Sequence, residues 1–270
     1  MVQLGGHTNA SVEEGMFRHM VLNSIRSFKA KFSDEYGELV IACDNKNYWR
    51  RQLFPYYKAN RKKNRDNSNF NWKSIFESLD KIRSELKEVF PYRVIDIESA
   101  EADDIIGTLC KEFGNTNQKI LIMSGDKDFI QLHRYTNVRQ YDCVRKKFIT
   151  HNNPDKFLKE HIIKGDVGDG VPNFLSPDNC LVVGERQRSI TTKKLDIWVT
   201  QEPEMFCTEQ MLRNYKRNEQ LIDLSKIPQH ISDNVMESFN KQYGKKSNDL
   251  MGYFITNRLK NLMDSIGDFR

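Results

Sequence analysis

In the segment Ser99-Ala-Glu-Ala-Asp-Asp-Ile-Ile-Gly-Thr-Leu109, three carboxylates, Glu101, Asp103 and Asp104, follow directly on the apolar run Tyr92-Arg-Val-Ile-Asp-Ile97. The run predicts a buried strand. Ser99 is a candidate N-cap, which puts the acids in the first turn of a helix. Acids there gain about 0.3–1 kcal/mol from the helix dipole, so one such turn needs no chemistry to explain it. Two more apolar runs ending in acid change the reading: Glu38-Leu-Val-Ile-Ala-Cys-Asp44 and Lys119-Ile-Leu-Ile-Met-Ser-Gly-Asp-Lys-Asp128. In an open parallel sheet, ligands bind at the carboxyl ends of the strands. Three strands then bring Asp44, Glu101, Asp103, Asp104, Asp126 and Asp128 to one edge. Crowded carboxylates repel one another unless a cation lies among them, and oxygen ligands suit hard divalent ions. The pattern points to a magnesium site.

Strand and helix patterns alternate from Glu38 to Ser124, which predicts βαβ units and an α/β fold with a mostly parallel central sheet flanked by helices. Before it, Val12, Met16, Met20, Ile25 and Phe28 recur at helical spacing, with Ser11 as candidate cap and Glu14 three residues on. Trp72 to Val89 reads as a long helix burying Ile75, Leu79, Ile82, Leu86 and Val89, stopped by Pro91. The acidic helix continues to about Phe113 and closes at Gly114-Asn115. Val138 to Asp142 and Lys147 to Thr150 look like a hairpin at the sheet margin. Beyond Asn153-Pro154 the strands give way to helices. The expected division is residues 1–152, a metal-binding nuclease domain with a basic arch at about 46–70, and residues 153–270, a helical domain binding duplex DNA.

At 270 residues the chain is long enough for a substantial core, and 38% hydrophobic with 29% charged residues describes a soluble globular protein. No apolar run is long enough to span a bilayer and no secretory signal appears at Met1, so no membrane partner is expected. The five cysteines are widely spaced and never C-x-x-C, which argues against a disulfide framework or a structural zinc site and for a reducing cytoplasm. Net charge is only +5, yet Lys46 to Arg65 holds eight basic residues and no acid. The rest of the chain is slightly acidic, so the positive field is local. Basic and aromatic side chains alternate in this segment, as suits phosphate contacts and stacking on unpaired bases, although a solvated basic loop has the same composition. Gly165-Asp-Val-Gly-Asp-Gly-Val-Pro172 is a glycine-rich turn whose amides, before a helix, could grip a duplex phosphate; an ordinary turn reads the same way. The six histidines show no ligand-like pairing and read as surface or core.

Glu101-Ala-Asp-Asp104, Ser124-Gly-Asp-Lys-Asp-Phe129 and Gly165-Asp-Val-Gly-Asp-Gly-Val-Pro172, in this order and spacing, resemble the 5′-nuclease (flap endonuclease) superfamily, which has a PIN-like fold. Tyr48-Trp-Arg-Arg51, Tyr56-Tyr-Lys58 with Asn60-Arg61, and Ser265-Ile-Gly-Asp-Phe269 add a likeness to its ribonuclease H branch in T-even bacteriophages. The likeness spans nearly the whole chain from about Val12. It implies a Mg²⁺-dependent 5′-to-3′ exonuclease and flap endonuclease that removes RNA primers and adjoining DNA from lagging-strand fragments in the infected bacterial cytoplasm. Its substrates would be DNA and RNA/DNA hybrids with 5′ ends or flaps, acted on by a monomer that meets the phage single-stranded DNA-binding protein. The resemblance assigns two Mg²⁺ ions, replaceable by Mn²⁺, to Asp44, Glu101, Asp103, Asp104, Asp126, Asp128 and Asp169. It places K⁺ at the glycine turn, which forms the loop of a helix-turn-helix. Asp44, Lys58, Arg61 and Asp126 take catalytic roles. Arg50, Arg51, Tyr57, Lys58, Arg61, Lys62 and Lys63 of the arch, with Gly165, Asp166, Gly168 and Gly170 of the turn, contact nucleic acid.

The chain departs from the family pattern in two places. Gly170 stands where Asn is common, and Asn173 where many members have Gly. The family also begins with an apolar strand ending in a metal-binding Asp, whereas no acid precedes Glu13 here. The expectation is therefore a chain lacking that first strand. The alternative function is a shortened, catalytically weakened factor that binds forked or single-stranded DNA through the basic segment and the glycine turn.

Overall fold

The computed structural model describes residues 14–270, except the side chains of residues 62–64. The expectations for Met1 to Val12, including the Ser11 cap, lie outside the described residues. Two compact units form: one joins Met1–Cys43, Ser68–Asp96 and Met236–Arg270, the other Asp44–Asn67 and Ile97–Val235.

In the first unit, β1 (Val40–Ala42) pairs in parallel with β2 (Arg93–Ile95), Val40 opposite Arg93 and Ala42 opposite Ile95. Helix α1 runs from Glu14 to Tyr36 and buries Phe17, Arg18, Leu22 and Phe32. The buried stripe is thus offset from the expected one, and Met16 faces solvent. Arg18 explains the offset. Its guanidinium lies beneath the surface, where it donates to both carboxylate oxygens of Glu85 at 2.7 Å and to Glu14 at 2.6 Å. The α4 helix occupies Trp72–Val89, as the periodicity predicts, and Asn71 caps it by accepting from the Ser74 N–H. Ile82 and Leu86 are buried, but Ser78 is buried in place of Leu79, which is exposed. Phe90, with no exposed surface, packs among Tyr92, Tyr253, Phe254 and Phe269. Truncating such a ring to Ala costs about 3–5 kcal/mol.

The second unit carries β3 (Ile120–Met123), parallel to β4 (Val138–Asp142), with β5 (Lys147–Ile149) closing the expected hairpin antiparallel to β4. The mostly parallel α/β pattern holds, with the strands shared between a two-stranded and a three-stranded ladder. Short helices α2 (Trp49–Leu53) and α3 (Asn60–Asp66) carry the basic segment, and α5 spans Ala102–Phe113. Ser99 is not the α5 cap. It takes a positive φ of 65°, and Glu101 starts the helix through a capping box with Asp104. Two acids thereby satisfy amides that a serine would have capped singly. Gly114 leaves the helix in extended backbone, and Asn115 takes the left-handed turn at φ 59°.

Asn153 caps α6 (Pro154–Lys164), Pro154 opens it where no N–H is needed, and Gly165 ends it at φ 69°. A Cβ at Gly165 would lie 2.5 Å from the Val171 carbonyl oxygen, so only glycine fits. The turn that follows closes on itself through an Asp166–Val171 bridge, and the next helix begins only at Cys180. The turn's amides therefore do not lead into a helix N-terminus, as the sequence reading expected. Among the described residues, no helix is long and apolar enough to cross a membrane.

Candidate active site

All the acids singled out in the sequence belong to the second unit. The α5 capping box fixes two of them. The Asp104 carboxylate accepts from the Glu101 N–H at 2.9 Å and from the Trp49 indole N–H at 3.1 Å. Arg50, itself buried, bridges the pair: Nη1 donates to Glu101 at 2.8 Å, Nη2 lies 2.8 Å from Asp104, and Nε donates to the Leu221 carbonyl. Charged groups this deep are tolerated only when paired, because an unpaired buried ion costs several kcal/mol. Both acids and Arg50 are so paired.

The basic segment folds onto these acids. The Lys58 ammonium donates to Glu101, and the Tyr57 hydroxyl, with one proton to give, lies 2.8 Å from Asp169 and 3.0 Å from Glu101. Arg61 donates to Asp169 at 2.6 Å. Lys58 reaches this position because its own N–H donates to the Asp169 carbonyl at 2.7 Å, with φ held at 55°. Gly170 permits that approach: it has φ 75°, and a Cβ there would lie 2.8 Å from the Tyr56 carbonyl oxygen. The glycine turn is thus a seat for the basic loop. Burial opposes the charge on Lys58, but Asp169 and Glu101 outweigh it and raise its pKa. Arg51 is exposed and lies over the Tyr48 ring.

Asp103, Asp128, Asp166 and Asp169 line a cleft with Arg50 and Tyr57. Asp103, Asp128 and Asp166 have no Lys or Arg ion pair among the described residues. Burial holds Asp103 well above the usual carboxylate range; Lys58 opposes the shift and Asp128 adds to it. Burial likewise pushes Asp128 up to about 7, with His161 opposing and Asp126 and Asp166 adding. Such shifts mark carboxyl groups that burial desolvates without a Lys or Arg close enough to hold them ionised. Hard oxygen donors facing a shared cleft without such a partner fit a divalent cation.

His161 was invisible as a ligand in the sequence. Its Nδ1 lies 3.4 Å from Asp128 and its Nε2 3.5 Å from Asp166. Burial would lower its pKa, but the Asp166 contact and the charges of Asp128 and Asp166 raise it. The only sequence signal is its place in the last turn of α6, five residues before Asp166.

Asp44 and Asp126 are both exposed, and their carboxylates cap backbone N–H groups: Asp44 accepts from Ala102 at 2.8 Å and Asp126 from Asp128 at 3.0 Å. The predicted residues thus form a neutralised group (Glu101, Asp104 and Asp169 with Arg50, Tyr57, Lys58 and Arg61), an open acidic group (Asp103, Asp128 and Asp166), and two exposed acids (Asp44 and Asp126). The side chains of Lys62 and Lys63 lie outside the described residues.

Comparison with known proteins gives a concordant picture. Residues 5–162 match the profile of the 5′-3′ exonuclease N-terminal resolvase-like domain, and residues 154–269 that of the T4 RNase H C-terminal region. The ribonuclease H of Enterobacteria phage T4 is 36% identical over 264 residues, covering 94% of this chain and 87% of that protein. The flap endonuclease Xni of Shewanella woodyi is 31% identical over 132 residues, 46% of this chain and 48% of the relative. Among solved structures, the bacteriophage T5 D15 flap endonuclease in a complex with DNA and metal ions aligns with a TM-score of 0.60 at 17% identity, covering 87% of this chain and 93% of that one.

Proposed function

Because the chain belongs to the 5′-3′ exonuclease family, with a C-terminal region of the T4 ribonuclease H kind, and is accordingly a hydrolytic phosphodiesterase, we propose that it is a Mg²⁺-dependent 5′-to-3′ exonuclease and flap endonuclease. It would remove RNA primers and adjoining DNA during phage lagging-strand replication in the host cytoplasm, as a monomer working beside the phage single-stranded DNA-binding protein. The observation that carries the reading is the cleft in which Asp103, Asp128 and Asp166, with no Lys or Arg ion pair among the described residues, stand next to a cationic loop.

Asp44, Glu101, Asp103, Asp126, Asp128 and Asp169 would hold two divalent ions, Mg²⁺ or in its place Mn²⁺. Asp104 would keep α5 in position through Trp49 and Arg50. When bound, such ions lower the pKa of an attacking water and neutralise a leaving 3′-oxygen. The chain's own part is to hold and steer the phosphodiester. Lys58 and Arg61 rise from the acidic cluster and supply positive charge where the phosphoryl group becomes more negative. Arg51, Lys62 and Lys63 of the same segment would track the single strand, with the half-buried Tyr48 ring beside Arg51; Tyr57, expected from the sequence to contact nucleic acid, is buried and instead holds Glu101 and Asp169. The turn from Gly165 through Asp166, Gly168 and Gly170 would meet the downstream duplex, with K⁺ as its partner cation.

The test is cleavage of a 5′-flap duplex by the 270-residue chain in Mg²⁺, with EDTA and Asp126→Asn as controls. Cleavage lost in both controls, with flap binding retained by Asp126→Asn, supports the reading. Flap binding by the unaltered chain without any cleavage overturns it in favour of a DNA-binding factor.

A further inference from the structure

The open acidic group differs from the neutralised one in a respect that bears on metal choice: among the described residues, the only basic side chain within ion-pair distance of its carboxylates is an imidazole. Glu101 and Asp169 are each met by Lys58, with Arg50 on Glu101 and Arg61 on Asp169. Asp128 and Asp166 meet only His161. One ligating atom from each of Asp128, His161 and Asp166 lies within 4.8 Å of the other two.

The separations are informative. A charge-assisted hydrogen bond between an imidazole and a carboxylate closes to about 2.7–2.9 Å. Here the nitrogen-to-oxygen distances are 3.4 and 3.5 Å. Two ligands on one ion, each bonded at about 2.0–2.2 Å with tetrahedral angles, lie roughly 3.3–3.6 Å apart. Whichever ring nitrogen ligates, its separation from one carboxylate is that of two ligands on one ion, and a ligand atom of the third group lies within 4.8 Å.

Each is also held by a different element. Asp128 is fixed at the start of its 3-10 helix, where Asp126 caps its N–H. Asp166 is pinned by the bridge to Val171 and by the Asp169 N–H at 3.1 Å. The His161 ring projects from α6, one turn beyond Phe157, with which it makes an edge contact at 6.0 Å. Ligands anchored this way need little rearrangement to receive a cation. The two ring nitrogens face different carboxylates. A cation on one leaves the other to carry the ring proton, which fixes the tautomer.

We propose that His161 is a nitrogen ligand to a divalent cation shared with Asp128 and Asp166, and that it makes this position selective for borderline ions (Mn²⁺, Co²⁺, Zn²⁺) over Mg²⁺. The inference deepens the metal-dependent reading above and rests on it. Mg²⁺ favours an all-oxygen octahedral shell and sheds water reluctantly, whereas imidazole suits later first-row ions, whose affinities rise in the Irving–Williams order. The glycine turn, which the sequence pointed to as a duplex grip, would thereby also set metal identity together with α6.

The experiment uses the full chain, stripped with EDTA and dialysed. Co²⁺ is titrated with its visible absorption as readout, and Zn²⁺ and Mg²⁺ are followed by calorimetry, in the unaltered protein and in His161→Gln. The expected result is a loss of Co²⁺ and Zn²⁺ affinity by about tenfold or more in His161→Gln, with Mg²⁺ affinity changed by less than about threefold. Equal Zn²⁺ affinity in the two proteins overturns the proposal. Should His161→Gln fail to fold, ring-nitrogen NMR of the unaltered protein decides. A displaced His161 resonance at one equivalent of Zn²⁺ supports ligation, and an unmoved one refutes it. A protein whose Zn²⁺ binding depends on His161 but which cleaves no flap in Mg²⁺ would retire the proposed function and leave this site standing. Cleavage in Mg²⁺ with Zn²⁺ binding indifferent to His161 would do the reverse.

Discussion

Replacing Lys58 separates charge from backbone, because this residue combines a buried ammonium with a left-handed φ of 55°. A non-glycine residue pays about 1–2 kcal/mol for that conformation. Lys58→Ala keeps the strain and loses the ammonium; Lys58→Gly loses both. In either variant Glu101 retains Arg50 at 2.8 Å and the Tyr57 hydroxyl at 3.0 Å, so it is not stranded as a lone buried charge. The Gly variant should therefore be more stable than the Ala variant by about 1 kcal/mol, read as a shift of the urea midpoint at constant slope. Chemistry should not follow stability. Loss of one preorganised cation costs about 10²- to 10³-fold in rate, and both variants should lose this equally in single-turnover flap cleavage. Flap affinity should fall less than about tenfold, because Lys58 is one of eight basic residues between Lys46 and Arg65. Equal losses of rate and affinity would reduce Lys58 to a plain phosphate contact, and recovery of rate in Lys58→Gly would show that backbone geometry, not charge, is what matters.

Removing the Arg50 guanidinium leaves Glu101 and Asp104 without their shared buried partner and the Leu221 carbonyl without its donor. Arg50→Ala should cost about 3–5 kcal/mol in urea unfolding, and a loss below about 1 kcal/mol would mean these contacts carry little energy. Gly170→Ala should destabilise by about 1–3 kcal/mol, since its positive φ coincides with a 2.8 Å approach to the Tyr56 carbonyl oxygen. Gly168→Ala, whose added Cβ meets only the Asp166 carboxylate at 3.1 Å, should cost less, and the reverse order in urea would contradict this account of the turn. Burial lowers the pKa of His133 against the opposing contact with Gln140, so the folded state binds this proton less readily than the unfolded chain, whose histidine titrates near about 6.5. The resulting stability is present above that pH and lost as pH falls through it toward the folded value. A ring-proton NMR midpoint for His133 at or above 6.5 would refute this sign.

Where the chain announced itself in sequence, it did so through local physics. The Trp72–Val89 helix, the apolar runs before the acids and the closing hairpin all follow from periodicity and turn residues acting over a few positions. The misreadings have one cause. Arg18 is buried because Glu85, 67 positions away, receives it, so the burial pattern of α1 could not be read from hydrophobicity alone. Ser99 yields the cap of α5 to Glu101 because Asp104 completes a reciprocal pair and Trp49 and Arg50 hold that pair from another helix. The site divides in the same way. Sequence placed the acids together, but which of them meet cations and which stay bare depends on how the loop around Lys58 seats against Asp169. His161 becomes visible only when α6 swings its ring between two acids drawn from separate motifs.

The interleaving of the two units has a consequence for biosynthesis. A ribosome delivers every segment of the acid-bearing unit once Val235 has emerged, whereas the other unit still lacks Met236–Arg270, which supplies Tyr253, Phe254 and Phe269 to the packing around Phe90. Contacts spanning well over a hundred residues form slowly, because the loop they close must be ordered first. During translation Phe17, Leu22 and Ile82 therefore wait without the aromatic side chains that later cover them. Chaperone demand on the nascent chain should peak in that interval, and a ribosome paused just beyond Val235 would expose it.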